Sequence, residues 1–191
     1  LLKEKNNLIK DKQKKQEIGI VINQGILENQ VKYSYISIGS NLGNRKKNIE
    51  KAKFLINQKY IKIIKISSIY ETLAWPNKKD PKFFNLVIKV ETFLNPTQLF
   101  KCLKLIEKKM GRKKAPKNSP RICDIDIIDY NGAKFKNSFL QIPHPRMKKR
   151  DFVLIPLMEI CNNWTYPRSK MKISSIINNI SKNNLTSIKI L

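Results

Sequence analysis

The residues with the most chemistry to offer lie in Pro120-Arg121-Ile122-Cys123-Asp124-Ile125-Asp126-Ile127-Ile128. Apart from its polar members, this stretch reads as a buried strand rich in isoleucine. Successive strand side chains point to opposite faces, so Asp124 and Asp126 share a face with Ile122 and Ile128. Cys123, Ile125 and Ile127 form the other face and read as core. Aspartate is depleted in strands, and two of them on one face, roughly 6.6 Å apart at the backbone, repel unless a cation joins them. Carboxylate oxygens suit hard ions, and Mg²⁺ takes one or two carboxylates plus waters and substrate phosphates. Arg121, just ahead of the pair, has the fork geometry for a phosphate that such a metal would also touch. On spacing alone, a metal-binding pair and an ordinary solvated strand face both remain open. If the pair is held together only by metal, Asn at either position should leave the metal-free fold as stable as before, or slightly more so.

Other polar groups cluster in sequence around that strand. A basic, breaker-rich loop, Arg112 to Pro120, runs directly into it. Loops of this kind often act as lids. Pro143-His144-Pro145-Arg146-Met147-Lys148-Lys149-Arg150 gathers cations around the chain's single histidine. A lone histidine is usually incidental, but one between two prolines and near Arg146 and Arg150 is well placed for phosphate. Asn85 sits between Phe83 and Val87 on one strand face, where a side-chain amide can both donate and accept.

The elements that must position these groups can be read from periodicity. Residues 31–38 alternate as a strand and end in a Gly39–Asn44 turn, where glycines permit positive φ and Ser and Asn can cap. A helix is predicted over 45–58, with Ile49, Ala52, Phe54, Leu55 and Ile56 as its buried stripe. Strands follow over 61–70 and 83–93, separated by a loop. Asn95-Pro96 caps and opens a helix that runs to Met110 and stops at Gly111. After the aspartate strand come a turn at Tyr130-Asn131-Gly132, a strand over 134–142, and helices near 150–160 and 173–180. The order predicts an α+β fold with a ferredoxin-like βαββαβ core and extra C-terminal strands and helices.

Bulk composition narrows the classes. The chain has 191 residues, 41% hydrophobic and 28% charged, enough for one globular domain with an appendage. It holds no apolar run long enough to span a membrane and no apolar signal core near its start. Cys102, Cys123 and Cys161 lack paired spacing and point to free thiols in a reducing cytoplasm. One histidine and no C-x-x-C argue against zinc. A net charge of +25 would suit nucleic acid, yet the lysines are spread along the whole chain, and a polyphosphate ligand satisfies the charge equally well. The rival RNA-binding α+β module would need a pattern of sheet aromatics and glycines that the expected strand lacks.

Taken in order, several segments resemble the 6-hydroxymethyl-7,8-dihydropterin pyrophosphokinase family (2-amino-4-hydroxy-6-hydroxymethyldihydropteridine diphosphokinase) over roughly residues 33–167. They are Tyr35-Ile36-Ser37-Ile38-Gly39-Ser40-Asn41-Leu42-Gly43, Ser67-Ser68-Ile69-Tyr70-Glu71-Thr72, Phe83-Phe84-Asn85, Glu107, Gly111-Arg112, the 120–126 segment, Pro143-His144-Pro145-Arg146-Met147, Arg150 and Phe152. The resemblance implies a kinase-class transferase of folate biosynthesis that moves pyrophosphate from ATP to the pterin alcohol, releasing AMP. It implies that Asp124 and Asp126 bind two Mg²⁺ ions and that Arg112 and Arg121 join them in catalysis. Glu107, Arg112, Arg121, His144 and Arg150 would serve ATP; Thr72, Phe83, Asn85 and Phe152 would serve the pterin. Its implied partners are small molecules, with fusion to or association with other folate enzymes, and neither membrane nor nucleic acid. Where the family often carries Arg-Trp-Gly-Pro-Arg, this chain has Lys117-Asn118-Ser119-Pro120-Arg121, so a tryptophan over the site is missing. Ile18 to Gly25 resembles the last strand of dihydroneopterin aldolase, dividing the chain into an extension, 1–30, and a pyrophosphokinase domain, 31–191.

Overall fold

The structure, a computed structural model, describes residues 30–58, 60–74, 77–112, 115–116, 118–180 and 188–191. The strand expected near Ile18 and nearly all of the 1–30 extension lie outside the described residues. Among the described residues there are eight strands: β1 (Lys32–Ser40), β2 (Ile61–Ile66), β3 (Tyr70–Thr72), β4 (Phe83–Thr92), β5 (Asp124–Tyr130), β6 (Phe135–Lys136), β7 (Gln141–Ile142) and β8 (Lys189–Ile190). Four α-helices accompany them: α1 (Arg45–Ile56), α2 (Pro96–Lys109), α3 (Asp151–Ile160) and α4 (Ile173–Asn178). The main sheet runs β5-β1-β4-β3-β8, β2 also pairs with β4, and all these pairings are antiparallel. This is a mixed α/β fold built on an antiparallel sheet.

Local chemistry sets the helix ends. The Asn44 side chain caps α1 by accepting from Lys47 N at 3.0 Å. Asn95 and Gln98 exchange side-chain-to-backbone bonds in a capping box before Pro96. Gly111 ends α2 at φ +95°, a conformation that glycine adopts without steric cost.

The sheet's two faces differ. On one, Ile36, Ile38, Leu86, Ile88, Ile125 and Ile127 pack under α1 and α2 with Leu99 and Leu103. Each fully buried Ile or Leu contributes about 1.5–3 kcal/mol there. On the other, Tyr35, Val87 and Ile128 pack under α3 and α4 against Val153, Leu154, Leu157 and Ile173. The rest of that face carries Gly39, Asn85 and the two aspartates, which line a cavity.

Several expectations are corrected. Phe54 is 73% exposed, because α1 turns Ile49, Ala52, Ile56 and, in part, Leu55 inward. The single strand expected over 61–70 is two, β2 and β3. The break falls at Ser67, whose hydroxyl accepts from Val87 N at 3.0 Å. The strand expected over 134–142 is a small β6–β7 hairpin, turned by Asn137 Oδ1 accepting from Phe139 N and Leu140 N. β5 begins at Asp124 rather than Pro120, so Ile122 packs with the α1–α2 core instead of sharing the aspartates' face. No helix among the described residues is long and apolar enough to cross a membrane.

Candidate active site

Strand register assembles the site. Gly39 on β1 lies opposite Asp124 of β5 on one side and opposite Asn85 of β4 on the other. Ser37, two residues back, lies opposite Asp126. Two small residues on the central strand thus floor a groove with acids along one wall and an amide along the other. A Cβ on Gly39 would come within 2.8 Å of Asn85 Oδ1 and 3.5 Å of a Phe83 ring carbon. Glycine is therefore needed there for close packing rather than for its φ.

The amide wall is preorganised. Asn85 Nδ2 donates to Thr72 Oγ1 at 2.8 Å, and both residues are buried. Phe83 and Phe152 line the same cavity. Each ring lies beside an arginine: Arg121 Cζ is 5.3 Å from the Phe83 centroid, and Arg150 Cζ is 5.5 Å from that of Phe152. Cation–π contacts of this kind tie the aromatic side to the charged side.

On the acid wall, Asp124 Oδ1 meets Arg112 at 2.7 Å and Oδ2 meets Arg121 at 2.8 Å. Asp126 Oδ2 lies 3.4 Å from Arg150, and Oδ1 lies 3.7 Å from Lys104 Nζ. Burial pushes the Asp124 carboxyl up, but Arg121, Arg112 and Lys104 outweigh it and hold it below its ordinary value. Burial lowers Arg112 in turn, yet Asp124 and Glu107 carry it above its usual value. The pair is therefore compensated without metal, which corrects the expectation of uncompensated repulsion.

His144, unlike the arginines around it, is not a cation. Burial, helped by Arg150 and Arg146 against the pull of Asp126, pushes it down to about 4. Its Nδ1 accepts from Arg146 N at 3.2 Å. Nε2 then carries the proton, and its 3.8 Å approach to Asp126 is not an ion pair at neutral pH. His144 offers a neutral N–H rather than a charge.

Glu107 stands behind the groove, 3% exposed. Its Oε1 accepts from Ile125 N at 2.6 Å, Arg112 at 2.6 Å and Lys104 Nζ at 2.9 Å. Burial raises its pKa against the pull of these donors. It orients the cations without lining the cavity. The other predicted site residues all line one of two adjoining cavities that share Asn118, Arg121, Asp124, Asp126 and Arg150.

Three contributions were missed from sequence. Gly39 inside a strand is a known mark of close backbone approach. Lys104 lies one helical turn before Glu107, a spacing that places both on one face. Asn41 was read as a turn residue. It accepts from Arg121 N at 2.7 Å and donates to Pro81 O at 3.1 Å, fixing the entries to β5 and β4. Asn118, at φ +68°, lines both cavities where the family resemblance places tryptophan.

As a donor set, two adjacent carboxylates that belong to no metal-holding group of three or more His, Cys, Asp or Glu among the described residues suit Mg²⁺ completed by phosphate and water.

Comparison with known proteins identifies the family. The family described as 7,8-dihydro-6-hydroxymethylpterin-pyrophosphokinase (HPPK) matches residues 35–162. A 2-amino-4-hydroxy-6-hydroxymethyldihydropteridine pyrophosphokinase of Aquifex aeolicus is 40% identical over 133 residues, covering 70% of this chain and 82% of that protein. The folic acid synthesis protein of Pneumocystis carinii is 43% identical over 146 residues, 76% of this chain. The chain spans only 20% of that protein's length, and likewise 20% of the Dictyostelium discoideum folic acid synthesis protein. A crystal structure of Plasmodium falciparum HPPK-DHPS superposes with TM-score 0.68 over 90% of this chain and 49% of that one; at 16% identity this likeness concerns the fold alone. This chain belongs to the 7,8-dihydro-6-hydroxymethylpterin-pyrophosphokinase family.

Proposed function

We propose that the chain transfers pyrophosphate from ATP to the hydroxyl of 6-hydroxymethyl-7,8-dihydropterin, giving AMP and the pterin diphosphate. The observation that carries this is the register placing Asp124 and Asp126 across Gly39 and Ser37 from Asn85 and Thr72. A polyphosphate and a flat, polar-edged heterocycle would meet on that floor.

The roles divide by wall. Asn85 and Thr72 bind the pterin edge, and Phe83 and Phe152 flank its ring. Arg112, Arg121 and Arg150 hold the phosphates in bidentate fashion, and His144 adds a neutral donor. Glu107 fixes Arg112 and the start of β5. Asp124 and Asp126 would hold two Mg²⁺ ions, which, when bound, neutralise phosphate charge and acidify the attacking hydroxyl. The chain's own residues supply placement and field, which is most of what phosphoryl-type transfer asks of a protein. Attack is at the β-phosphorus, in line with the departing AMP. Asp124, held below its ordinary pKa, is a poor proton acceptor, so no general base is assigned to it.

Further readings complete the proposal. The order β5-β1-β4-β2 supports a ferredoxin-like plan, with β6 to β8, α3 and α4 as C-terminal additions. Residues 31–191 would be the catalytic domain and 1–30 the tail of an aldolase module. Deleting 1–30 should leave AMP production and melting temperature nearly unchanged. Fusion with other folate enzymes accords with this chain spanning only 20% of the Pneumocystis carinii folic acid synthesis protein. Three free cysteines accord with a reducing cytoplasm.

The test pairs activity with binding. With Mg²⁺, ATP and the pterin, the protein should make AMP and pterin diphosphate in equal amounts. Arg121→Ala should weaken nucleotide binding and spare pterin binding to the nucleotide-free protein. Asn85→Ala should weaken pterin binding and spare the nucleotide. Absence of AMP from the folded protein, or equal loss of both ligands in both variants, would refute the reading.

A further inference from the structure

Lys104 is a cation of the site to which no role has been given. It sits on α2, one turn before Glu107, and its side chain is only 33% exposed. Two of its three ammonium protons are committed: Nζ donates to Ile125 O at 2.8 Å and to Glu107 Oε1 at 2.9 Å. The third faces Asp126 Oδ1 across 3.7 Å, beyond hydrogen-bond reach. Pinned to β5 main chain and to a buried glutamate, this charge cannot swing away as an exposed lysine would. The other Asp126 oxygen faces Arg150, and both Asp124 oxygens are engaged by arginines. All four carboxylate oxygens thus already have a cation; Glu107 anchors two of those cations from behind the strand, Arg112 and Lys104, and Lys104 is the one of the two that faces Asp126 and is also held by the β5 carbonyl of Ile125.

We propose that Lys104 is a fixed counter-ion that makes divalent-metal binding at Asp126 conditional on a polyphosphate ligand. A divalent ion arriving alone at Asp126 Oδ1 would stand within a few ångströms of an ammonium that cannot retreat. When a triphosphate is present, its oxygens lie between the two positive charges and screen them, and the arginines transfer from carboxylate to phosphate. Metal and nucleotide then bind with positive coupling, each strengthening the other by the same factor. The site accepts the metal–nucleotide complex and turns the bare ion away. This rests on the reading of Asp124 and Asp126 as metal ligands given above, and it adds a requirement that reading does not contain.

The experiment titrates MnCl₂, followed by the electron paramagnetic resonance signal of free Mn²⁺, into the full chain with and without α,β-methylene-ATP. Wild type is expected to bind Mn²⁺ at least tenfold more tightly with the analogue than without it. Lys104→Met is expected to bind Mn²⁺ alone at least tenfold more tightly than wild type, and the coupling to shrink by the same factor. Lys104→Gln, which keeps a donor for Glu107 and Ile125 O but loses the charge, should behave like Lys104→Met and guards against a packing defect. If both variants bind Mn²⁺ alone no better than wild type, the counter-ion role is overturned while the metal site stands. If wild type fails to bind Mn²⁺ even with the analogue, the metal reading falls and this proposal with it.

Discussion

One strand carries two kinds of aspartate. At the start of β5, Asp124 lies opposite Gly39; near its end, Asp129 lies opposite Tyr35. A register shift leaves Ile128 as an extra residue and turns Asp129 toward the face that holds Asp124, as a bulge does. Asp124 is met by two arginines, and its pKa is lowered. Asp129 is 4% exposed, accepts from Trp164 Nε1 at 2.8 Å, and has no donor in hydrogen-bond geometry at Oδ1. Burial raises its pKa, with Trp164 and the main-chain N–H groups of Tyr130 and Gly132 only partly offsetting it. The same residue type on the same strand lines a cavity at one end and is a core polar group at the other. The difference is made by its neighbours: glycine opens a groove where tyrosine fills one, and arginines hold a carboxyl's pKa down at one end where burial pushes it up at the other.

Breaking the comparison at its active end should have the largest effect. Asp124→Asn or Asp126→Asn should cut AMP production on the order of 10³-fold or more, because the phosphates and their metal lose their anchor. Asp129→Asn should leave turnover within about twofold of wild type, since nothing at Asp129 reaches the groove. Because Asp124 pairs with Arg112 and Arg121, its loss should also destabilise the metal-free protein by about 2–3 kcal/mol, below the range for a fully buried pair. This reverses what repulsion between two bare carboxylates would give. Melting temperatures of the metal-free variants decide the sign.

Gly39→Ala probes the neighbour rather than the acid. The new methyl would press on the Asn85 amide oxygen, at a cost of about 1–3 kcal/mol, and should weaken pterin binding about ten- to a hundredfold. Nucleotide affinity should hold, because the Cβ meets Asn85 and Phe83 and none of the arginines. Equal loss of both ligands in calorimetry would show that the floor is a shared structural element. At the other end, Trp164→Phe deletes the one side-chain donor to Asp129. It should cost about 1–3 kcal/mol of stability with turnover unchanged.

Much of the site could be read from the chain because its signals are local. Asp124-x-Asp126 announces itself by being acidic in an isoleucine strand, and Asn95-Pro96 by its capping chemistry. What could not be read depends on pairing. Gly39 gains its meaning only when β1 settles between β4 and β5, and Lys104 only when α2 packs its turn against Ile125. The neutral state of His144 has the same origin: burial, which the sequence around Pro-His-Pro does not show, outweighs Asp126 and is helped by Arg150 and Arg146. The 134–142 segment has enough apolar residues for a strand, yet Asn137 turns it into a hairpin.

The smallest effect is also the most discriminating, because the two acids should respond to pH with opposite signs. A carboxyl whose folded pKa is depressed adds stability above its unfolded value, near 3.8, and loses that contribution as pH falls through the folded pKa. That is Asp124, so Asp124→Asn should cost most at pH 7 and progressively less below pH 3.8. A carboxyl whose folded pKa is raised binds its proton more readily in the folded state. It therefore costs stability at pH 7, and the cost is relieved as pH falls through the folded pKa toward 3.8. That is Asp129. Asn there keeps an oxygen for Trp164 and puts a neutral group where the partnerless oxygen was. Asp129→Asn should then raise the melting temperature at pH 7, by an amount on the order of 1 kcal/mol, and the gain should fade toward pH 4. Melting curves of the two variants against wild type at pH 7 and pH 4 make the test. If both shifts have the same sign at pH 7, the contrast between the two ends of β5 does not lie in how their neighbours treat a negative charge.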